Sequence, residues 1–103
     1  MGMIRFEWNP VKAQTNERKH GVTFADAMHV FDDPYALFEQ DRTDEPGNLR
    51  WRALGLVGGV TLLLVAHTVR QKGEHELIRL ISVRRATRKE RNRYDETRAQ
   101  DAG

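Results

Sequence analysis

Three β-rich segments in the second half of the chain limit the possible fold more than any other feature of the sequence. They run over residues Leu49–Val57, Val60–Val69 and His75–Val83. Gly58-Gly59 separates the first two and is a two-residue hairpin signal, while the second connection contains Gly73. The pattern predicts a three-stranded antiparallel meander, in which the middle segment is the most hydrophobic and therefore central.

The start of the chain predicts a strand followed by a helix. In residues Met3–Trp8 apolar and charged side chains alternate, which is typical of a strand with one face exposed to solvent. Asn9-Pro10 then supplies an N-cap residue and a proline at the first helical position. We expect this helix to end near His20, because cations in its last turn complement the helix dipole and Gly21 suits a left-handed stop.

A second helix and a short strand follow. Thr23 is the expected cap, with Asp26 three residues later, and Asp33-Pro34 ends the helix. Tyr35–Glu39 predicts a short strand, and the polar run Asp41–Asn48 predicts a turn. The residues on the predicted buried face of the helix are spaced at i, i+3, i+4 and i+7: Phe24, Ala27, Met28 and Phe31.

The last meander segment runs directly into the start of a final helix. Thr87 and Glu90 have the spacing of a capping box, in which each side chain accepts a hydrogen bond from the backbone N–H of the other. From Arg84 to Arg93 the chain carries six basic residues and one acid. Such a junction repels itself unless something negative lies nearby, so we expect a polyanionic ligand or an acidic protein there.

The order of predicted elements indicates an α+β fold, β-α-α-β-β-β-β-α. We expect an antiparallel sheet packed on one face by the two N-terminal helices. The 103 residues fit a single domain, which we place at residues 1–95, with a frayed C-terminal tail at 96–103. The last helix has a thin apolar stripe, so we expect it to be only marginally docked.

The composition argues against several kinds of site. The chain has no cysteine and therefore neither disulfides nor thiolate metal sites, which suits a cytoplasmic protein. Its longest apolar run, Val60–Ala66, is too short to span a membrane, and the N-terminus shows no signal-peptide pattern. There is no phosphate-binding loop or dinucleotide fingerprint, and the four histidines are scattered. We expect no metal and no cofactor.

The side chains that remain for chemistry are arginine, lysine and histidine, which suit a phosphodiester handled without a metal. Cleavage of RNA by its own 2′-hydroxyl needs a base, cations around the pentavalent phosphorus and an acid for the leaving oxygen. His20 has a pKa suited to proton transfer, but it also fits a helix-end residue that complements the dipole, as does Lys19. His67 lies on an apolar strand, where a hydrogen-bonded core histidine competes with a functional role.

Arginines on the predicted sheet supply the cations. Arg50 and Arg52 point to one face of their strand. Arg79 is isolated on an otherwise apolar face, so we expect it either to pair with a carboxylate, for which Glu7 is a candidate, or to open onto a ligand groove. Tyr94 either anchors the last helix or stacks on a base. The residues expected to share the face of Arg79 are Leu77, Ile81 and Val83, while Arg84 and Arg85 are expected to point to opposite faces.

Three blocks of the sequence are specific in combination: IRFEWNPVKAQTNERKHGVTFADAMHVFDDP, RWRALG and IRLISVRRATRKERNRY. Together they resemble the BrnT family of type II toxin–antitoxin ribonucleases, over about residues 3–95. The resemblance implies a RelE-like fold, metal-independent RNA cleavage and growth inhibition. It also implies neutralisation by a BrnA-type antitoxin with a ribbon–helix–helix DNA-binding domain, and repression of the operon by that complex.

The resemblance also implies which residues form the site. Lys19 and His20 stand in the Lys-His-Gly block, and Arg50 precedes the Trp-x-Ala-x-Gly block. We predict that Arg50 and Arg84 hold the phosphate and that His20 or Lys19 transfers the proton. The predicted catalytic residues are Lys19, His20, Arg50, Arg79 and Arg84, and the predicted RNA-binding residues are Arg52, Arg85, Arg88, Arg91 and Tyr94.

Two alternatives from a different functional class are compatible with the same residues. The chain could be a non-catalytic module whose basic patch binds nucleic acid or an acidic partner. It could also be a degenerate toxin that is kept as a folded co-repressor. Turnover separates these functions from an enzyme, since only an enzyme degrades an excess of RNA.

Overall fold

The computed structural model describes residues 3–41 and 49–102 and shows one five-stranded sheet with helices on both faces. The predicted turn at Asp41–Asn48 falls on residues 42–48, outside the described residues. None of the described helices is both long and apolar enough to cross a membrane. The elements are β1 (Met3–Glu7), α1 (Pro10–His20), α2 (Phe24–Met28), a 3₁₀-helix (His29–Asp32), β2 (Leu37–Asp41), β3 (Arg50–Val57), β4 (Thr61–Lys72), β5 (His75–Arg85) and α3 (Arg88–Ala102).

The predicted α+β fold and its element order are confirmed, but the sheet is mixed. Its strand order is β1-β5-β4-β3-β2, and β2 to β5 are antiparallel neighbours. β1 instead runs parallel to β5, with Glu7 opposite Arg79. A parallel pair needs a long crossover, which the rest of the chain supplies here. The alternation within β1 indicates a strand but carries no information about its direction or its neighbour.

The predicted helix signals are present. The Asn9 side chain accepts hydrogen bonds from two N–H groups of the first turn of α1, at 2.9 and 3.2 Å. Gly21 follows α1 with a φ of 69°, the left-handed conformation that only glycine adopts without strain. The capping box also forms: the Glu90 N–H donates to Thr87 Oγ1 at 3.2 Å, and the Thr87 N–H donates to Glu90 Oε1 at 2.8 Å.

The second and third helices differ in length from the prediction. α2 ends at Met28, and the 3₁₀-helix that follows places the fully buried Val30 against β3. The approach is close, because a Cβ on Gly55 would lie 2.7 Å from Val30 Cγ1. α3 extends to Ala102, so residues 96–102, which we assigned to a tail, are helical in the structure.

The two faces of the sheet carry separate apolar clusters. We call the face packed by α1, α2 and the 3₁₀-helix the core face, and the face that α3 partly covers the open face. Tyr94 of α3 packs on one end of the open face against Leu54, Leu62 and Leu64. The buried residues of the core-face cluster are Val22, Phe24, Ala27, Val30, Ala53, Leu63, Val65, Ile78, Leu80 and Val83.

A β-bulge in β5 decides which side chains share a face. Ser82 lies opposite Ala66, but the next residue of β4, His67, lies opposite Leu80. Ile81 is therefore an extra residue in β5, and the alternation of its side chains is reversed beyond that point.

The bulge corrects one prediction about β5. Val83 is fully buried on the core face, where we expected it to share the face of Arg79. The prediction was wrong because it assumed unbroken alternation along the strand. As a result Arg79 and Arg84, which are five positions apart, both point to the open face.

Candidate functional site

Four of the predicted site arginines lie together on the open face of the sheet. Arg50 and Arg79 occupy one cross-strand row, Arg52 the next row and Arg84 the third, which is the row beside α3. Read from β5 to β2, the rows are Arg79-Thr68-Arg50-Asp41, Ser82-Ala66-Arg52-Glu39 and Arg84-Leu64-Leu54-Leu37. The surface made by the first two rows, together with Arg84, is called the arginine surface below.

Carboxylates accompany the arginines on this surface. Arg79 Nη1 lies 3.1 Å from Glu7 Oε1, which is the carboxylate pairing of the two alternatives that the sequence left open, and Arg52 Nη2 lies 3.6 Å from Glu39 Oε2. All four side chains are between 42% and 48% exposed. Ion pairs with this exposure contribute little to stability, so an incoming anion can replace the carboxylate at small energetic cost.

Arg84 is held more firmly than the other arginines. Its Nη1 and Nη2 donate to Glu90 Oε1 and Oε2 at 2.8 and 3.0 Å, and Nη1 also donates to the Arg85 carbonyl at 3.1 Å. The hydrogen bond to Glu90 raises the pKa of Arg84 further above its ordinary value. Since Glu90 also caps α3, Arg84 links the end of β5 to the start of the helix.

Sequence reasoning missed two residues of the site, Arg93 and Glu39. Arg93 Nη1 of α3 lies 2.8 Å from Glu39 Oε1 of β2, so the same carboxylate contacts both Arg93 and Arg52. No local spacing signals this contact, because it depends on α3 crossing the sheet from β5 towards β2.

The predicted proton-transfer residues lie at the end of α1 rather than among the arginines. Asn16, one turn earlier, accepts the Val83 N–H at 3.1 Å and donates to the Val83 carbonyl at 2.9 Å. α1 therefore runs along the edge of β5 beyond the last residue paired with β1. Lys19 is exposed and His20 is half-buried. Within residues 3–41 and 49–102, neither side chain bonds to a predicted site arginine.

The remaining predicted RNA-binding residues divide into exposed and buried groups. Arg85, Arg88 and Arg91 are exposed at the end of β5 and the start of α3. Tyr94 is 1% exposed, so its ring is not open to a base in this structure. Of the two roles that the sequence left open, anchoring of the last helix is the one its contacts support.

Tyr94 fixes α3 through Asp33, which follows the 3₁₀-helix. The Tyr94 hydroxyl donates to Asp33 Oδ2 at 2.5 Å, and Asp33 also accepts the N–H groups of Leu56 and Tyr35 at 2.8 and 2.9 Å. Burial would raise the pKa of Asp33, but these hydrogen bonds outweigh it and lower the pKa. Burial and the bond to Asp33 raise the pKa of Tyr94 to about 12. Asp33 and Tyr94 also line a cleft next to α3, so two of the polar groups in that cleft already serve the docking of the helix.

His67 is a core histidine in this structure. It is 1% exposed, its Nδ1 lies 3.2 Å from the Val65 carbonyl, and the Phe31 ring meets it edge-on at 4.9 Å between centroids. Burial lowers the pKa of His67, so the ring is neutral at pH 7. The sequence left two roles open for His67, in the core or in the site, and these contacts support the role in the core.

The chemistry of the arginine surface is that of anion binding. Guanidinium groups present planar forks that match carboxylate and phosphate oxygens, and here they come from two strands, β3 and β5, with Arg93 of α3 beside them. Across the described ranges, no three or more histidine, aspartate or glutamate side chains are grouped so that they could hold a metal ion.

Comparisons with known proteins bear on the fold and on the family of the chain. A family model described as "Ribonuclease toxin, BrnT, of type II toxin-antitoxin system" matches residues 8–90. The crystal structure of the Brucella abortus ribonuclease toxin, BrnT, superimposes with a TM-score of 0.58 at 28% sequence identity, covering 84% of this chain and 99% of that chain. A search of curated proteins found no match.

Proposed function

Because the chain belongs to the BrnT family of ribonuclease toxins of type II toxin–antitoxin systems, we propose that it is a metal-independent endoribonuclease whose arginine surface holds the RNA backbone. The family assignment confirms the resemblance found in the three sequence blocks. The observation that carries the proposal is the convergence of Arg50, Arg52, Arg79 and Arg84 on one face of the sheet.

The proposed reaction uses the 2′-hydroxyl of the RNA as the nucleophile. Arg50 and Arg84 would hold the non-bridging oxygens and stabilise the charge that develops on the pentavalent phosphorus. Their positive charge takes the part that a metal ion plays in other nucleases, which is the basis for proposing metal independence. His20 or Lys19 would transfer the proton, reaching the substrate from the end of α1 beside β5.

The family also implies an antitoxin partner and an RNA target. We propose that the antitoxin is a BrnA-like protein with a ribbon–helix–helix DNA-binding domain, and that the complex represses its own operon. An acidic segment of the antitoxin would cover the arginine surface, because its carboxylates would compete with RNA for the same guanidinium groups. The protein would act in the cytoplasm, where it inhibits growth by cutting RNA.

The test is cleavage of a labelled, structured RNA by purified protein in the presence of EDTA. We expect Arg84→Ala to lower the rate by about 10²- to 10³-fold, which is typical for loss of one charge-stabilising donor. Glu90→Gln is the matched variant: it also breaks the Arg84–Glu90 pair, but it keeps the cation. Arg18→Ala, on the exposed surface of α1, controls for the loss of one positive charge.

The variants separate catalysis from helix docking. If Arg84→Ala and Glu90→Gln lose activity equally, Arg84 acts by holding α3. A parallel His20→Ala or Lys19→Ala variant that cleaves at the wild-type rate excludes that residue from proton transfer. If folded wild-type protein cleaves no free RNA, the proposal that it acts without the ribosome fails, and either ribosome-dependent cleavage or a binding role takes its place. Harmless expression without the antitoxin would support the degenerate co-repressor.

A further inference from the structure

Glu39 joins an arginine of the sheet to an arginine of α3. Its Oε2 lies 3.6 Å from Arg52 Nη2, and its Oε1 lies 2.8 Å from Arg93 Nη1. The side chains of all three residues are between 42% and 44% exposed. Two guanidinium groups from different elements therefore converge on the two oxygens of one solvent-accessible carboxylate.

The donors of this cluster are not saturated. A guanidinium carries five N–H donors, and the 3.6 Å contact of Arg52 is longer than a hydrogen bond. Arg52 Nε is buried and has no hydrogen-bond partner among the residues that the structure describes. The Glu39 carboxylate thus neutralises the charge of Arg52 without accepting a hydrogen bond from the Arg52 guanidinium group. A phosphodiester can accept hydrogen bonds from both guanidinium groups at once, since its two non-bridging oxygens diverge as those of the carboxylate do.

The cluster lies next to the proposed reaction site. Arg52 is in the row beside the one that holds Arg50 and Arg79, and Arg93 reaches the same row from above the sheet. The row of Arg52 lies between the rows of Arg50 and Arg84, and Arg93 meets Glu39 on β2. A nucleic-acid backbone that crosses the sheet from β5 towards β2 therefore passes between Arg50 and Arg84 before it meets Arg52 and Arg93.

We propose that Arg52 and Arg93 form a subsite for an RNA phosphate flanking the cleaved bond, and that the Glu39 carboxylate occupies this subsite when no RNA is bound. The inference rests on the proposed function, because it takes RNA as the ligand. It adds Arg93, which the sequence motifs do not single out, and it makes Glu39 an internal competitor that RNA must displace. Arg52 and Arg93 bind and position the backbone, and they take no part in proton transfer.

The test measures binding separately from cleavage. A fluorescent 2′-O-methyl oligoribonucleotide has no 2′-hydroxyl nucleophile and stays intact, so anisotropy titrations over a series of salt concentrations report affinity alone. Arg93→Gln should weaken binding about two- to fivefold, the range expected for one partly exposed charge contact. It should also reduce the slope of log K against log salt by about 0.7, the value for one phosphate contact on a single strand. Arg18→Gln makes the same change of charge on α1 and should leave the slope unchanged.

Removal of the competitor should have the opposite effect. Glu39→Gln keeps the size of the side chain and should tighten binding about two- to fivefold. Glu17→Gln, an exposed acid on α1, controls for the change in net charge. In an Arg93→Gln background the gain from Glu39→Gln should shrink, because the two residues act on the same subsite. Arg93→Lys keeps the charge but loses the fork, so it should fall between wild type and Arg93→Gln. Circular dichroism confirms that each variant is folded.

The possible outcomes separate this inference from the proposed function. If Arg93→Gln binds with wild-type affinity and slope, or if Glu39→Gln binds no more tightly than Glu17→Gln, the subsite is disproved while the ribonuclease proposal stands. If wild-type protein cleaves no free RNA but the Arg93 and Glu39 variants change binding as expected, the proposal of cleavage without the ribosome fails and the subsite stands.

Discussion

Glu90 satisfies two needs of the strand–helix junction with one carboxylate. Its Oε1 accepts both Arg84 Nη1 and the Thr87 N–H, and its Oε2 accepts Arg84 Nη2. The Arg84 hydrogen bonds, helped by the Thr87 N–H, outweigh the effect of burial and lower the pKa of Glu90 to about 2. The helix cap and the orientation of the Arg84 fork therefore depend on the same ionised side chain.

Glu90→Gln should destabilise the protein by about 1–2 kcal/mol at neutral pH, a value reduced for the exposure of Arg84. Because the pKa of Glu90 is lowered by folding, its contribution is fully present above the ordinary pKa of 4.5 and is lost as the pH falls towards 2. Urea denaturation at several pH values checks this. A difference between wild type and variant that stays constant down to pH 3 would contradict it.

His67 predicts a second pH dependence of stability, in a higher range. The folded ring stays neutral because burial lowers its pKa, whereas the unfolded chain takes up a proton near the ordinary pKa of 6.5. Stability should therefore fall as the pH drops below that value, by at most about 1.4 kcal/mol per pH unit. His67→Gln should remove this part of the change between about pH 7.5 and about pH 5.5 in urea titrations. His29→Gln, at an exposed position, should keep it.

Residue contacts were predictable from the sequence only when they were local or followed from one strand pair. The Thr87–Glu90 box and the Asn9 cap show at fixed short spacings, and Glu7 could be named because Arg79 needed a carboxylate. The bond between Tyr94 and Asp33 joins residues 61 positions apart, and no pattern in either segment points to the other. The same holds for the contact of Arg93 with Glu39, which is the part of the candidate site that the sequence did not reveal.

At the scale of elements, the types and order of helices and strands could be predicted from the sequence. The face of the sheet to which each side chain points could not. Periodicity, caps and glycine turns indicate where each element begins and ends. The bulge at Ile81 leaves no signal in a run of β-branched and apolar residues, yet it reverses every side chain that follows it. It is also the reason why Arg84 joins the other arginines on the open face.

α3 should be the least stable helix of the fold. Tyr94 is its one fully buried side chain among those described, and most of the others are exposed. Hydrogen exchange should therefore show weaker protection for the α3 amides than for β4, because α3 can open without disrupting the sheet. Tyr94→Phe removes the hydroxyl that binds Asp33 and should speed exchange in α3 further, by about 1–2 kcal/mol of opening free energy. Equal protection of α3 and β4 in the wild type would show that the helix is firmly docked.

At the scale of the whole molecule, the two faces of the sheet have different roles: the core face stabilises the fold, and the open face carries the proposed binding surface. The core face is filled by apolar side chains from α1, α2 and the 3₁₀-helix, and the open face carries arginines with exchangeable carboxylate partners. This division gathers arginines, with carboxylates beside them, on one face of a chain whose formal net charge is only +2.

An NMR titration with the uncleavable oligonucleotide should map onto one side of the protein. We expect shifts at the Nε–H groups of Arg50, Arg52 and Arg79, and none in α2 or the 3₁₀-helix. A shift of the His20 ring would support its part in proton transfer. An undisturbed His20 would leave the end of α1 outside the binding surface, and shifts centred on α2 would disprove the proposed orientation.

The hydrogen bonds between the Asn16 side chain and both backbone groups of Val83 also affect how the protein behaves at high concentration. An edge strand with free N–H and C=O groups is a template onto which another molecule can add a strand, and such growth leads to aggregates. At Val83 a side-chain amide takes the place of that neighbour, so self-association cannot begin there. The part of β5 that extends beyond β1 is thereby closed to strand pairing at this position.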